Sequence, residues 1–239
     1  KRAAASIATG KHFNSGQTCI APDYVLIHHS KRDNFVDLLR AETQQRYGGE
    51  TAQADRTTII NDMQHSRLVG LLDDAKDKSE AVIPLLNEAA IESRSRLMTP
   101  TLILEPAPTS AIMNEEIFGP LLPIISYRSI DEAIAVILNH ERPLALYCFS
   151  DNSAEIETVL SQVVAGGVCI NDTLYHFACG DLPFGGVGHS GMGHYHGRDG
   201  FLTFSKPMPV LTKYTPASTD LIKPPYAGLT DRIIRFITR

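Results

Sequence analysis

A single cysteine follows a short polar turn near the start of the chain, in residues 13–19 (FNSGQTC). Residues 2–11 are rich in alanine and predict a helix, which Gly16 can end because glycine adopts left-handed backbone angles. Cys19 would then lie on a loop with free backbone N–H groups. A thiol that attacks a carbonyl carbon needs an accessible sulfur and donors for the oxyanion that forms. A buried structural cysteine fits the same residues, because unpaired cysteines are commonly buried.

The charges around Cys19 also bear on its chemistry. The first acidic residue of the chain is Asp23, and the ionisable residues before the cysteine are Lys1, Arg2, Lys11 and His12. A positive surrounding favours the thiolate form of a cysteine. Because no carboxylate precedes the cysteine, a general base would have to come from elsewhere.

Three stretches, in this order along the chain, resemble motifs of the aldehyde dehydrogenase superfamily. They are the cysteine motif in residues 13–19, the segment 114–120 (NEEIFGP) and the segment 183–193 (PFGGVGHSGMG). Residues 195–205 and the tail 223–226 (KPPY) are similar to the class 3 branch of that family. Coniferyl and fatty aldehyde dehydrogenases belong to this branch, and the resemblance is greater to the coniferyl enzymes. It extends from the first residue to the C-terminus.

The resemblance implies that Cys19 attacks an aldehyde, giving a thiohemiacetal and then a thioester that water releases as a carboxylic acid. It implies NAD or NADP as the cofactor, with Glu116 and Phe118 in contact with it. A carboxylate can accept hydrogen bonds from two ribose hydroxyls, and an aromatic ring can pack on the nicotinamide. The alternative is a surface acid in a turn, with Phe118 anchoring the loop.

The same resemblance implies that much of the machinery lies outside this sequence. The family's general base and its second oxyanion donor precede the cysteine, and no residue of this chain matches them. The chain starts with Lys1, inside a predicted helix. We therefore expect a piece of a longer protein, truncated at its N-terminus, whose missing half holds the dinucleotide-binding domain. We also expect a homodimer, and little activity from this piece alone.

Other candidate pocket residues lie near the third motif. Asn171 ends an apolar strand-like run and fits either an active-site hydrogen bond or a turn. Phe177 and Phe184 fit the wall of a substrate pocket, where aromatic side chains suit a phenylpropenal or a fatty aldehyde. Packing within the core or a loop explains both phenylalanines equally well.

Two further patterns resemble binding motifs but favour simpler interpretations. Residues 185–188 (GGVG) lack the strand, helix and lysine of a phosphate loop, and we expect a tight backbone path there. His189, His194 and His196 form a small cluster without the ligand pattern of a zinc site. We expect hydrogen-bonded histidines and no metal.

Composition limits the class of protein. The 239 residues are 43% hydrophobic and 21% charged, with a net charge of −5, which is ordinary for a globular protein. The sequence contains no basic block and no apolar run of membrane-spanning length, so we expect neither nucleic acid nor membrane as a partner. The four cysteines lack CxxC spacing, which favours reduced thiols in a cytoplasmic protein.

Alternating strand and helix patterns predict an α/β fold, with an open sheet between two helical layers. The predicted strands are 23–29, 81–85, 101–104, 121–127, 144–149 and 167–171. The predicted helices are 2–11, 30–46 with Ser30 as N-cap, 57–78 with Ile60 and Met63 facing inward, 130–139 with Leu138 facing inward, and 152–163. Candidate site residues Cys19, Glu116 and Asn171 fall in loops or at strand ends, where such folds place active sites.

The sequence predicts a catalytic domain over residues 1–205 and a C-terminal arm over residues 206–239. The arm is rich in proline and ends in an amphipathic segment at residues 229–237. We expect it to pack on another domain or subunit. Two alternative functions stay open: a thiol-dependent esterase or acyl transferase, and a catalytically silent module that assembles subunits.

Overall fold

The computed structural model describes residues 1–49, 56–86, 96–224 and 226–238. The chain forms two compact units, Lys1–Thr203 and Phe204–Arg239. The strands are β1 Val25–His28, β2 Ala81–Pro84, β3 Thr101–Leu104, β4 Leu121–Tyr127, β5 Ala145–Cys148 and β6 Gly167–Ile170. The helices are α1 Arg2–His12, α2 Arg32–Tyr47, α3 Asp62–Lys78, α4 Ile130–Leu138, α5 Ser153–Gln162, α6 Tyr175–Ala178, α7 Gly197–Thr203 and α8 Leu229–Ile237.

The strands belong to two sheets within the described residues. The larger sheet has the order β1-β4-β3-β2, in which β4 is parallel to β1 and β3, while β2 is antiparallel to β3. The second sheet is the parallel pair β5-β6, with Ala145 opposite Gly167. The predicted α/β class is confirmed, and the expected strands form at the expected places with ends that differ by up to two residues.

The larger sheet is covered on both faces. Leu102 and Leu104 of β3 pack with α1 and α2 on one face, whereas Ile103 between them packs with α3 on the other. Successive side chains of a strand point to opposite faces, so a continuous apolar run is what a sheet between two helical layers requires. The predicted three-layer arrangement is confirmed.

The β5-β6 pair has its own apolar cluster. Leu146 of β5 packs there with Ile134 of α4 and with Val159 of α5. Ser129 caps α4 as predicted, since its hydroxyl accepts a hydrogen bond from the backbone N–H of Glu132 at 3.3 Å.

Two predicted helix starts are wrong. Ser30 does not cap α2, because its hydroxyl pairs with the His28 ring nitrogen at 2.8 Å in a 3-10 turn, and α2 begins at Arg32. The second helix begins at Asp62 and not at residue 57. Asn61 caps it by accepting a hydrogen bond from the backbone N–H of Gln64 at 2.9 Å.

Three residues predicted to face inward are exposed. Ile60 precedes the true helix start and is 72% exposed, and Met63 in the first turn of α3 is 70% exposed. Leu138 is the last residue of α4, where it is 58% exposed. Apolar periodicity places side chains correctly only within the regular part of a helix.

In the described part of the unit Phe204–Arg239, the chain forms the 3-10 turn Ser218–Ile222 and helix α8 at the predicted residues. Asp220 pairs with the ammonium groups of Lys213 and Lys223. Apolar side chains along the unit are exposed, among them Val210, Leu211 and Phe236. Among the described residues of the whole chain, the helices are too short or too polar to cross a membrane.

Candidate active site

The turn before Cys19 has an unusual backbone conformation. Asn14, Ser15 and Gly16 all have left-handed angles, with φ of 50°, 54° and 74°. A Cβ atom on Gly16 would lie 2.2 Å from the carbonyl oxygen of Gly119, which is closer than any side chain permits. Only glycine therefore fits here. This contact places the cysteine loop against the end of the segment 114–120.

A second set of contacts fixes the loop from the side of α3. The Gln17 amide donates to the Thr58 carbonyl at 3.1 Å and accepts from the Ile60 backbone N–H at 3.0 Å. The Ser15 hydroxyl donates to the Thr57 carbonyl. Residues 57–60, which we had predicted to be helical, instead form this support for the cysteine loop.

Cys19 is exposed in an open cleft of about 1910 Å³. Glu116, Phe118 and Asn171 line the same cleft, so the structure brings these four predicted residues together. No hydrogen bond to the Cys19 sulfur comes from the described part of the chain. The cysteine is thus free to meet a ligand that enters the cleft.

The segment that carries Glu116 and Phe118 is held by its backbone. The Ile117 side chain is fully buried, and its N–H donates to the Asp23 carboxylate at 3.1 Å. Arg67 donates to the carbonyls of Glu116 and Ile117. Because the backbone supplies these contacts, the Glu116 carboxylate and the Phe118 ring stay available to the cleft, with Phe118 40% exposed at a φ of 48°.

Charged groups lie close together behind this segment. Lys11 is fully buried, and its ammonium nitrogen has no hydrogen-bond partner among the residues described. Burial lowers the pKa of Lys11 to about 8, although the charges of Asp23 and Glu116 oppose the change. Partial burial and the neighbouring Asp23 raise the pKa of Glu116, while Arg67 and Lys11 lower it.

The adjacent His12 is also buried. Burial lowers its pKa to about 3, with further lowering by the charges of Lys11 and Arg56. The expected positive surrounding of Cys19 therefore loses two of its four members as exposed charges, because both basic residues at the end of α1 are buried with lowered pKa values. Lys11 and His12 are part of the interior.

Asn171 follows β6 with a left-handed φ of 61°. Its side-chain amide donates to the Ser150 carbonyl at 2.9 Å, and its backbone N–H donates to the Cys148 carbonyl at 2.8 Å. Asn171 thus shapes the turn and lines the cleft at once. The next residues pack on α1, where a Cβ on Gly10 would lie 2.4 Å from the Thr173 hydroxyl.

Phe177 and Phe184 lie apart from the lining of the cleft that contains Cys19. Their ring centroids are 5.0 Å apart in an edge-to-face arrangement, and Phe184 is buried among His176, Tyr195 and His196. Such contacts stabilise packing by themselves. A role for either phenylalanine in a substrate pocket stays a prediction.

The three clustered histidines have separate partners. His189 pairs with Glu141 at 2.5 Å, His194 with Asp199 at 3.4 Å, and the His196 ring nitrogen with the Leu182 carbonyl at 3.0 Å. The described residues contain no group of three or more His, Cys, Asp or Glu side chains placed to hold a metal ion. At Gly186, a Cβ would lie 1.9 Å from the Ser190 carbonyl, as expected for a tight backbone path.

Comparison with known proteins adds to this geometry. A family model described as the aldehyde dehydrogenase family matches residues 1–210. The chain belongs to the aldehyde dehydrogenase family. It is 44% identical, over 234 residues, to a probable coniferyl aldehyde dehydrogenase of Pseudomonas aeruginosa, covering 98% of this chain and 48% of that protein. It is 42% identical over 208 residues to a dimeric NADP-preferring aldehyde dehydrogenase of Rattus norvegicus, covering 87% of this chain and 44% of the rat protein.

A solved structure agrees with these matches. The substrate-bound state of an aldehyde dehydrogenase of Staphylococcus aureus superposes with a TM-score of 0.86 at 40% identity, covering 99% of this chain and 51% of that one. The resemblance noted in the three sequence motifs is confirmed. The chain spans about half the length of the relatives it matches.

Sequence reasoning overlooked three residues of the site. Asp23 and Arg67 hold the backbone of the segment 114–120, and the Tyr147 hydroxyl donates to the carbonyl of Ile20 at 2.7 Å. Asp23 was noticed only as the first acid of the chain. Arg67 lies in a helix and Tyr147 in a strand, where each resembles an ordinary structural residue.

Proposed function

We propose that this chain is the cysteine-bearing part of an NAD(P)-dependent aldehyde dehydrogenase, which oxidises an aldehyde to a carboxylic acid. The contact between Gly16 and Gly119 carries the proposal, because it places Cys19 on the same cleft as Glu116 and Phe118. Coniferyl aldehyde is the proposed substrate, since relatives at 44% identity are named for it.

The residues in the cleft fit a nicotinamide cofactor. The Glu116 carboxylate is exposed and can accept hydrogen bonds from two ribose hydroxyls, since a carboxylate has two acceptor oxygens. The exposed Phe118 ring offers a face for packing. Both NAD and NADP fit a site formed by these two side chains. When bound, the nicotinamide supplies the hydride acceptor for the oxidation.

The chemistry of this chain is centred on Cys19. Its thiolate sulfur forms a bond to the aldehyde carbon, and the carbonyl oxygen takes the electron pair as an oxyanion. The backbone N–H of Cys19 is the proposed donor to that oxyanion. After oxidation the substrate is a thioester of Cys19, and attack by water releases the acid and restores the thiol.

The remaining functions belong to another half of the protein in this proposal. That half supplies the dinucleotide-binding domain, the general base and the second oxyanion donor, while residues 1–205 are the catalytic domain. Residues of β1 and β5 both line the cleft, and each of these strands pairs with only one neighbour in the described sheets. The unpaired edges of these two strands support the proposal that the other half of the protein binds at this cleft. The complete protein is proposed to be a homodimer, like the relative named as dimeric.

Reconstitution tests the proposal. The 239-residue chain would be mixed with a separately produced first half of the Pseudomonas aeruginosa relative, and NAD(P)H absorbance followed with coniferyl aldehyde. Neither part alone should form NAD(P)H, and the mixture should. Cys19→Ala should abolish the activity of the mixture, whereas Cys179→Ala, at another exposed cysteine, should retain it. Robust NAD(P)H formation by the 239-residue chain alone, or by the Cys19→Ala mixture, would refute the proposal.

Thiol-dependent ester hydrolysis is a second candidate activity, because Cys19 is exposed without any other domain. The chain alone should then turn over p-nitrophenyl acetate slowly, and Cys19→Ala should remove that turnover. Turnover that persists in Cys19→Ala would eliminate this activity.

An assembly role is a third candidate, favoured by exposed apolar residues in the arm such as Val210, Leu211 and Leu221. Light scattering should then show an oligomer that becomes monomeric when residues 206–239 are deleted. If the full chain is a monomer, and the shortened chain is a monomer too, the assembly role is refuted.

A further inference from the structure

One hydroxyl group connects three parts of the site. The Tyr147 side chain extends from β5, donates to the backbone carbonyl of Ile20 at 2.7 Å, and accepts from the Leu174 N–H at 3.3 Å. Ile20 directly follows Cys19, and Leu174 lies three residues after Asn171. Leu174 has a left-handed φ of 65°, a conformation that its surroundings must hold in place.

The residues before Cys19 are held from a different side. Gln17 is bound through both ends of its amide to Thr58 and Ile60, which flank Ile59 in the apolar cluster of α3. Tyr147 belongs to the strand pair packed against α4 and α5. Thr18 and Cys19 thus lie between two fixed points, one supported by each sheet.

We propose that Tyr147 is a positioning residue that, together with Gln17, holds Cys19 in the orientation needed for nucleophilic attack. The proposal rests on the proposed function of Cys19 as the nucleophile. Its hydroxyl fixes the Ile20–Ala21 peptide, and the Ala21 N–H of that peptide donates to the Thr18 carbonyl at 3.0 Å. The Thr18 carbonyl belongs to the peptide that carries the Cys19 N–H, so this N–H is held as well. The same hydroxyl sets the distance between the cysteine loop and the segment that follows Asn171.

The chemistry of Tyr147 suits this role. Burial raises the pKa of its hydroxyl above the ordinary value, and the neighbouring Cys169 and Cys19 raise it further, against the Leu174 hydrogen bond. The hydroxyl therefore stays protonated at about pH 7. A protonated phenol can donate one hydrogen bond and accept another, which is what Ile20 and Leu174 require.

The test measures alkylation by iodoacetamide in the 239-residue chain, with peptide mass spectrometry after short exposures. Cys179 is also exposed, so the ratio of the Cys19 rate to the Cys179 rate, taken at one pH, cancels differences in reagent concentration and exposure time. We expect Tyr147→Phe to lower this ratio at least about threefold. The direction follows because Cys19 is already exposed, so a looser loop adds little access, whereas the sulfur spends less time in the orientation that Tyr147 and Gln17 hold.

Two controls separate positioning from folding. Cys148, the neighbour of Tyr147 on β5, is half-buried and should label slowly in both proteins. Incorporation of p-aminophenylalanine at position 147 restores a donor of similar size and should restore the ratio. An unchanged ratio in Tyr147→Phe overturns the proposal, and so does rapid labelling of Cys148, which would assign Tyr147 a structural role only.

Labelling of the unaltered chain distinguishes the role of Cys19 as nucleophile from the role of Tyr147 in positioning it. If Cys19 in the unaltered chain reacts no faster than Cys179, the nucleophile itself loses support. If Cys19 reacts faster but Tyr147→Phe leaves the ratio the same, only the positioning role is lost.

Discussion

Lys11→Met tests the cost of burying an ammonium group beside the cysteine loop. The Lys11 side chain is fully buried, and its nitrogen has no hydrogen-bond partner within the described ranges. Methionine is unbranched and fills a similar space without a charge. Because a buried charge without a hydrogen bond is unfavourable, we expect the variant to be more stable than the unaltered chain at about pH 7.

The magnitude and the pH window follow from the pKa of Lys11. Burial lowers it from 10.5 to about 8, and one pKa unit corresponds to about 1.4 kcal/mol, so the buried ammonium costs about 3 kcal/mol. Between these two values the unfolded chain binds more protons than the folded one, and stability rises with pH. The cost is therefore fully present below about pH 8 and disappears as the pH rises towards about 10.5.

Urea denaturation followed by circular dichroism measures the effect at about pH 7 and about pH 10. Lys11→Met should raise the free energy of unfolding by about 3 kcal/mol at the lower pH and by much less at the higher one. Lys31→Met, at an exposed lysine, is the matched control and should change it by less than about 0.5 kcal/mol. A loss of stability in Lys11→Met at about pH 7, or an equal gain at both pH values, would refute the reasoning.

The remaining predictions use the same denaturation assay. Gly16→Ala should lower the free energy of unfolding by about 2 kcal/mol or more, because the residue has a φ of 74° and no room for a Cβ. Gly49→Ala is the control and should change it little, because a Cβ there meets open space. Equal effects of the two substitutions would contradict the packing described for the turn. Asn61→Ala removes the cap of α3 and should cost about 1 kcal/mol, against almost nothing for the exposed Asn34→Ala. The pKa of His12 in the folded chain is about 3, below the ordinary 6.5, so the free energy of unfolding should fall as the pH drops from about 6.5 to about 3. His12→Asn should make the fall between about pH 7 and pH 5 smaller by about 2 kcal/mol. An unchanged fall would show that His12 is not buried in its neutral form.

The regular elements of the fold were predictable because their signals are local. The apolar run of residues 101–104 and the capped helix after Ser129 appear in the structure as expected. The N-cap prediction for Ser30 was wrong because a serine before a helical pattern resembles an N-cap, whereas its hydroxyl pairs with the ring of His28, two residues before it. Ile60 was wrongly predicted to face inward on a helix. It lies before the helix and binds Gln17 through its backbone N–H, and such a contact leaves no periodic pattern in the sequence.

The site was predictable only in part, for a physical reason. Sequence motifs identify Cys19 and Glu116. That both residues line one cleft depends on the close approach of Gly16 to Gly119, two residues far apart in the sequence. Of the basic residues expected to surround the cysteine, Lys11 and His12 are buried, and charge counted along a sequence does not reveal which side chains are buried. Tyr147 gave no signal, since a tyrosine in a strand is typical of a sheet.

The proposed function requires that Cys19 form a covalent bond to the carbonyl carbon of a substrate. Brief reaction of the 239-residue chain with p-nitrophenyl acetate, followed by acid quenching and peptide mass spectrometry, tests it most directly. We expect an acetyl group on Cys19, in excess over Cys179, which is also exposed, and no acetyl group on the corresponding peptide of Cys19→Ala. Acetylation confined to lysines, or spread equally over the two cysteines, would contradict it.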